Sequence, residues 1–160
     1  MQKLFLIAAL AASMTVYAQE SALSPVLTGY FKVKDALVKD DARAAAAAAA
    51  QLLSTINGVN TAALTPKGRS AFMSLQPKLA YDARHISESS EIAHQREHFA
   101  SLSTNMTKLA MAAPLSQQPI YEEYCPMKKA YWLAGDSAIR NPYFGSAMTT
   151  CGRITHTLRP

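Results

Sequence analysis

The residues with the most distinctive chemistry are two cysteines and two methionines in the last quarter of the chain. They form two short pairs, Cys125-Pro126-Met127 and Met148-Thr149-Thr150-Cys151. Thiolate and thioether sulfurs are the ligands that a soft ion such as Cu(I) prefers, whereas carboxylates and water suit harder ions. The sequence therefore predicts a soft-metal site with up to four sulfur ligands, Cys125, Met127, Met148 and Cys151.

The same two cysteines allow a simpler interpretation, which is a disulfide between Cys125 and Cys151. On the chain-entropy model such a crosslink would contribute roughly 3.5 kcal/mol to stability. Met127 and Met148 would then be ordinary core residues. The two interpretations exclude each other at equilibrium, because an oxidised pair has no thiolates left to bind a metal.

Histidines form a second set of candidate ligands. His94 and His98 are four residues apart on a predicted helix, so they share a face and could hold one ion, with Glu91 and Glu97 nearby and His85 at the end of the preceding helix. His156 lies close in sequence to Cys151 and could join the sulfur ligands. The alternatives are a solvated polar helix face for His94 and His98 and an exposed strand position for His156.

Four segments have the pattern of helices that would position these ligands. Ser24-Pro25 and Thr65-Pro66 each combine a capping residue with proline at the first helical position, and Asp40-Asp41 offers a further cap before the run Ala44 to Ala50. In the fourth segment Ile92, Phe99 and Met106 recur every seven residues. The predicted helices cover about 25–39, 41–57, 66–87 and 92–113.

The character of the chain changes after Gln117, where helical periodicity ends and aromatic residues concentrate. Ile154, His156 and Leu158 alternate with polar residues, and Ile120 to Cys125 could pair with them as a short β-hairpin. Four amphipathic helices with short connections favour packing with their apolar stripes inward. We therefore predict a mainly α fold, an antiparallel four-helix bundle with an irregular C-terminal segment that includes this hairpin.

The first residues predict export. Lys3, the apolar run Leu4 to Ala12 and Val16-Tyr17-Ala18 match a signal peptide over residues 1–18. Residues 19–160 would form one domain whose Cys/Met motif spans about 120–158. No later stretch predicts a membrane span, so we expect a periplasmic protein with no membrane insertion after cleavage.

The charge distribution and the absence of enzyme motifs argue against two classes of function, nucleic-acid binding and catalysis. The formal net charge is +5 and the basic residues are scattered, so no basic stripe suits a nucleic acid. The sequence carries no GxSxG, HExxH or glycine-rich phosphate loop, and we expect no enzymatic activity.

The tail, Y-x-x-Y-C-P-M followed by A-Y-W-L and I-R-N-P-Y-F-G-x-x-M-x-x-C-G, resembles a bacterial exported family known as domain of unknown function 3347. The stretches Y-F-K-V-K-D-A-L-V-K-D-D-A and H-Q-R-E-H-F-A-S-L-S are also similar to it, so the likeness runs from Leu23 to Leu158. The resemblance implies a periplasmic protein associated with adaptor subunits of heavy-metal efflux pumps. It also implies that the four sulfurs occupy the family's recurrent sulfur positions, while a set of framework residues surrounds them: Trp132, Asn141, Pro142, Tyr143 and Gly145. Family members often carry a longer insertion between the C-P-M and the tryptophan than Lys128 to Tyr131 provide here.

These observations lead to two hypotheses. The first is a periplasmic soft-metal binding protein, for copper above all, that acts as a buffer or as a donor to a heavy-metal efflux system. The alternative is a disulfide-stapled structural or interaction module of the cell envelope that binds no metal.

Overall fold

The computed structural model describes residues 21–159, so the predicted signal peptide lies outside the described residues. Four α-helices are followed by three β-strands: α1 (Ser24–Val38), α2 (Ala42–Asn57), α3 (Pro66–Glu88), α4 (Ile92–Ala112), β1 (Ile120–Cys125), β2 (Ala130–Ala134) and β3 (Arg153–Leu158). The predicted mainly α fold with four helices is confirmed. No helix within residues 21–159 combines the length and the apolar character needed to span a bilayer.

The helices begin where local capping chemistry directs them. The Asp41 side chain accepts a hydrogen bond from the Ala44 N–H at 2.8 Å, and Thr65 accepts one from the Gly68 N–H at 3.1 Å. Each bond satisfies a backbone donor that the first helical turn leaves without a partner. The predicted cap at Ser24 is wrong, because the N-cap is Leu23, which is fully buried and makes no side-chain capping bond. Burial in the core, rather than a cap, sets the start of α1.

Small residues allow α1 and α2 to approach closely. Ala45 and Ala49, one turn apart on α2, are fully buried. Opposite them, a Cβ added at Gly29 of α1 would lie 3.0 Å from the Leu52 Cδ1 atom. The alanine run is therefore an ordered helix with one buried face. Each helix packs against the next along the chain, and α4 also packs against β2; the antiparallel bundle stays a prediction.

The C-terminal segment is a three-stranded antiparallel sheet with the order β2-β1-β3, rather than an irregular tail. The predicted pairing of Ile120–Cys125 with the last strand is confirmed, with Ile120 opposite Leu158 and a bulge between Glu122 and Glu123. Strand β2 was not predicted. It forms because the turn after Cys125 returns the chain along β1, where Trp132 and Leu133 become fully buried.

A buried hydrogen-bond chain joins the sheet to the helices. The Tyr30 hydroxyl on α1 lies 2.7 Å from the Ser103 Oγ on α4 and accepts a hydrogen bond from the Leu133 N–H of β2 at 3.0 Å. All three groups are buried, so removing one would leave a buried polar partner unsatisfied. The chain therefore connects α1, α4 and β2.

Arg96 of α4 anchors the loop that follows β2. Its guanidinium donates to the Pro142 carbonyl at 2.8 Å, to the Leu37 carbonyl at 2.9 Å and to the Asp40 carboxylate at 2.5 Å. Asp40 in turn accepts hydrogen bonds from the Ser146 N–H at 2.9 Å and the Ser146 hydroxyl at 2.5 Å. These bonds from Ser146, and then the Arg96 guanidinium, lower the pKa of Asp40 from 3.8 to about 2. Residues 141–146 are thereby held against the end of α1.

Gly145 is required in this loop for two reasons. Its φ is +53°, and a Cβ there would lie 2.1 Å from the Asp40 Oδ1 and 2.5 Å from the Arg96 Nη2. Gly152, just after Cys151, is also sterically constrained, since its Cβ would lie 2.6 Å from the Trp132 ring. The two glycines therefore bracket a segment that lies close to the rest of the fold.

Glu123 and Trp132 face each other across β1 and β2 and are both fully buried. Neither the two Glu123 carboxyl oxygens nor the Trp132 indole N–H has a hydrogen-bond partner. Burial raises the pKa of Glu123 from 4.5 to about 7, although the nearby Lys34 lowers it. The carboxyl group is therefore protonated in the folded protein over a wider pH range than in the unfolded chain.

We predict that Gly145→Ala lowers the free energy of unfolding by about 2 kcal/mol or more, because a left-handed alanine is strained and its methyl group displaces Asp40. Urea denaturation would measure the change. Gly58→Ala is the control, since Gly58 has a φ of −92°, and it should cost less than about 1 kcal/mol. Equal effects of the two substitutions would contradict the role of Gly145.

We further predict that the contribution of Glu123 to the free energy of unfolding is fully present below pH 4.5 and declines as the pH rises to about 7, because the folded state holds the Glu123 proton more tightly than the unfolded state. Glu123→Gln should remove about 2 to 3 kcal/mol of this decline. Urea denaturation at several pH values would measure it, with exposed Glu88→Gln as control. Parallel pH profiles for wild type and Glu123→Gln would refute the prediction.

Candidate metal-binding sites

The sheet brings the two cysteines together at one end of β1. Cys125 is the last residue of β1 and is buried, whereas Cys151 precedes β3 and is partly exposed. Because β1 pairs with β3, with Tyr124 opposite Arg153, the chain positions of the two thiols meet at this end of the sheet. Partial burial, and after it the charge and the hydrogen bond of the neighbouring Cys125 thiol, raise the pKa of Cys151. Both thiols are free, and they interact with each other.

The turn between β1 and β2 directs backbone N–H groups at both sulfurs. The Lys128 N–H donates to the Cys125 Sγ at 3.4 Å, and the Met127 N–H donates to the Cys151 sulfur, which lowers the Cys151 pKa. Lys129 takes a left-handed φ of 57°, and its N–H bonds the Cys125 carbonyl at 2.8 Å. Hydrogen bonds to the ionised form of a group stabilise that form. The bond from Met127 therefore opposes, without reversing, the effects that raise the pKa of Cys151.

The two methionines lie on the surface. The exposed fraction is 65% for Met127 and 38% for Met148, so the interpretation of both as core residues is wrong. Each is nonetheless attached to the cysteine region, because Met127 belongs to the turn that bonds the sulfurs and the Met148 carbonyl accepts the Cys151 N–H at 3.1 Å. That the methionine sulfurs join the two thiols stays a prediction.

Asn141 holds the backbone of Cys151 in place. Its Nδ2 donates to the Cys151 carbonyl at 2.6 Å, and its Oδ1 accepts the N–H groups of Tyr143 and Phe144 at 2.8 and 3.2 Å. Asn141 is fully buried. The loop anchored by Arg96 is therefore also the loop that positions the second thiol.

The histidines fall into two places. His94 and His98 share one side of α4 as predicted, and His85, from the last turn of α3, lies against them. The ligand nitrogens of these three all lie within 4.8 Å of one another, and they form the one converging set of three or more His, Cys, Asp or Glu ligands in residues 21–159. Neither Glu91 nor Glu97 belongs to this set.

His156 lies on β3, apart from the other histidines. Its Nδ1 is 3.2 Å from the Glu122 Oε2, and its side chain is largely exposed. It does not form a converging set with Cys125 and Cys151. The alternative of an exposed strand residue describes it better than that of a further ligand beside the sulfurs.

The sequence pattern does not identify His85 as a third ligand beside His94 and His98. It also gives no sign of Asp82, whose Oδ1 lies 3.0 Å from the His98 Nδ1. The short connection from Glu88 to Ile92 was the available signal for His85, because it folds the last turn of α3 beside the first turns of α4.

A family model described as "Protein of unknown function (DUF3347)" matches residues 26–118. The match covers α2, α3 and α4, almost all of α1, and with them the three histidines, and it stops before β1 and the cysteines. Comparisons with the curated proteins and with the solved structures each find no match. Because the match covers more than half of the chain, the protein belongs to the family of proteins of unknown function DUF3347.

Proposed function

We propose that this protein binds a soft metal ion, with Cu(I) the best candidate, through Cys125 and Cys151, and that it acts as a buffer or as a donor to a heavy-metal efflux system. The observation that carries the proposal is the pair of interacting free thiols, each bonded by a backbone N–H of the same turn. Two adjacent thiolates are a favourable ligand set for a soft cation.

The surroundings of the thiols support exchange of an ion. Cys125 is buried, but Cys151 is partly exposed and residues 126–129 are exposed, so an ion can reach the sulfurs from solvent. Met127 and Met148 are flexible, exposed thioethers next to the cysteines in the chain. Either could serve as an additional, more easily displaced ligand, which suits a protein that hands its ion on.

Proton release sets the pH dependence of binding at this site. Metal ions bind thiolates, so each thiol that coordinates must first lose its proton. Because the pKa of Cys151 is raised, protons compete more strongly with the metal there than at an ordinary cysteine. Copper binding should therefore weaken as the pH falls.

The compartment and the partner rest on the sequence. The signal-peptide pattern of residues 1–18 supports export to the periplasm, and the resemblance of the cysteine-containing tail to efflux-associated proteins supports an adaptor or pump as the partner. In that setting copper is the cargo that the protein carries, and no enzymatic activity is proposed.

The closeness of the two thiols also favours a second candidate function, a disulfide-stapled structural or interaction module. Oxidation would join β1 to the loop that Asn141 and Arg96 hold, without any metal. Exposed side chains near the cysteines, Tyr131 and Met127 among them, would then form a contact surface for an envelope protein. The oxidation state of the cysteines separates the two candidates.

We predict that the reduced wild-type protein takes up Cu(I) and that Cys125→Ser/Cys151→Ser loses this uptake, because the thiolates are its main ligands. Titration under anaerobic conditions with a competing Cu(I) chelator, followed by native mass spectrometry, would measure it. Met127→Leu/Met148→Leu should weaken binding about tenfold, equivalent to about 1.4 kcal/mol. The matched control is Met73→Leu/Met111→Leu, which changes two exposed methionines outside the cysteine region. Unchanged uptake in the cysteine variant would remove the sulfur site.

We also predict two free thiols per chain in protein isolated from the periplasm with a rapid alkylating quench. Mass spectrometry of the alkylated protein would count them, and the Cys125→Ser/Cys151→Ser variant would give the zero reference. A count of zero in the wild type, restored to two by a reductant, would favour the disulfide-stapled module.

A further inference from the structure

The hairpin of α3 and α4 presents three histidines at one surface position. His85 and His98 stack with their ring centroids 4.4 Å apart and their planes at 16°, and His94 meets His98 edge to face at 4.7 Å. We propose that His85, His94 and His98 form a second metal site, for a divalent transition-metal ion of borderline softness such as Zn(II) or Cu(II). This site shares no ligand with the cysteine site and does not depend on it.

Rigid elements hold the three histidines together. His94 and His98 are one turn apart on α4, and His85 lies one turn before the end of α3. Buried Gln95 fixes the connection, because its Nε2 donates to the Ser89 carbonyl at 2.7 Å, to the Ile86 carbonyl at 3.3 Å and to the Ala42 carbonyl at 2.9 Å. The bonds to Ser89 and Ile86 satisfy carbonyls at the end of α3 that its helix leaves open, and the bond to Ala42 ties this end to the start of α2. The three histidines therefore lie on two helices whose connection is held in place by the hydrogen bonds of Gln95.

Asp82 supplies the support that a metal-binding imidazole usually has. Its carboxylate is almost fully buried and lies 3.0 Å from the His98 Nδ1. In the tautomer whose Nδ1 carries the proton, the Nδ1–H group donates a hydrogen bond to Asp82. The Nε2 atom then keeps its lone pair for an ion. A buried carboxylate behind a partly buried histidine is the arrangement that orients such ligands and makes them more basic. Asp82 is therefore a positioning residue for His98.

The distances fit an ion after small side-chain rotations. Zn–N bonds of about 2.0 to 2.1 Å in a tetrahedral site place two ligand nitrogens about 3.4 Å apart. One nitrogen of each histidine lies within 4.8 Å of one nitrogen of each of the other two, so binding an ion requires side-chain rotations that shorten these separations. His94 is exposed, which gives an ion access from solvent.

The donor set determines the class of ion. Three imidazole nitrogens without a thiolate suit Zn(II), Cu(II) and Ni(II), whereas Mg(II) and Ca(II) require oxygen ligands. Three protein ligands leave a fourth position for water or for a ligand from another molecule.

Tyr81 provides an optical reporter of the site. Its ring centroid lies 4.3 Å from that of His85 and 5.7 Å from that of His98, and 56% of the residue is exposed. Rotation of the two imidazoles around an ion changes the surroundings of this phenol. Metal binding should therefore alter the tyrosine absorption of the wild type and not that of Tyr81→Phe.

The test uses the full mature chain carrying Cys125→Ser/Cys151→Ser, so that no thiolate can bind the ion. Isothermal titration with Zn(II) should show one ion bound per chain. His94→Gln, at an exposed position that does not endanger folding, should weaken binding at least tenfold, and His85→Gln/His94→Gln should abolish it. His156→Gln, which changes a histidine outside the set, is the matched control and should bind as the wild type does.

Asp82→Asn tests the supporting carboxylate, and we expect a 10- to 100-fold loss of Zn(II) affinity. Co(II) gives a second readout, because a tetrahedral nitrogen site absorbs in the visible without the thiolate charge-transfer bands that a cysteine site would add. Zn(II) binding that is equal in the wild type and in His85→Gln/His94→Gln, with circular dichroism showing both folded, would overturn the proposal. Failure of this test would leave the cysteine site untouched, because the copper experiment uses different ligands.

Discussion

The cysteine region depends on one guanidinium. Arg96 reaches from α4 to the end of α1 and to the loop after β2, and its three acceptors come from two segments far apart in the chain, Leu37 and Asp40 in one and Pro142 in the other. Charge-assisted bonds of this kind are stronger than neutral ones, and Arg96 is largely shielded from water. Without it, the loop that includes Asn141 and carries Cys151 would keep its Ser146 bonds to Asp40 but lose its charged attachment to α4. A side chain of the helical part therefore helps to position the second thiol.

Helix α4 thus serves both candidate sites from different sides. Arg96 supports the cysteine loop, while His94 and His98 on another side meet His85 of α3. Gln95 and Phe99, neighbours of these residues in the sequence, are fully buried and fix the helix in the core. Side chains of one helix thus support the thiol region and supply two of the three clustered imidazoles.

Local chemistry explains what could be predicted from the sequence. Asp41 and Thr65 cap helices by accepting hydrogen bonds from residues three positions later. Neighbouring residues in the sequence are therefore enough to predict the starts of α2 and α3. The alternation in residues 153–158 likewise predicted a strand. Strand β2 escaped prediction because Trp132, Leu133 and Ala134 are all buried, which removes the alternation of polar and apolar residues.

The site residues likewise divide into those that the sequence predicts and those that only the fold brings together. The soft character of Cys125 and Cys151 and the shared face of His94 and His98 follow from residue type and spacing alone. The contacts of Asp82 with His98 and of Arg96 with Pro142 join residues 16 and 46 positions apart, and no local pattern marks them. The exposure of Met127 was also hidden, because a methionine after a strand is equally compatible with a core and with a turn.

The packing of Gly152 against Trp132 links the cysteine region to spectroscopy. This is the single tryptophan of the chain, and its buried ring lies where any side chain at position 152 would collide with it. A displacement of the residue next to Cys151 must change the packing around that indole and the quenching of its emission. The protein therefore contains a built-in fluorophore whose emission registers what happens at its partly exposed thiol.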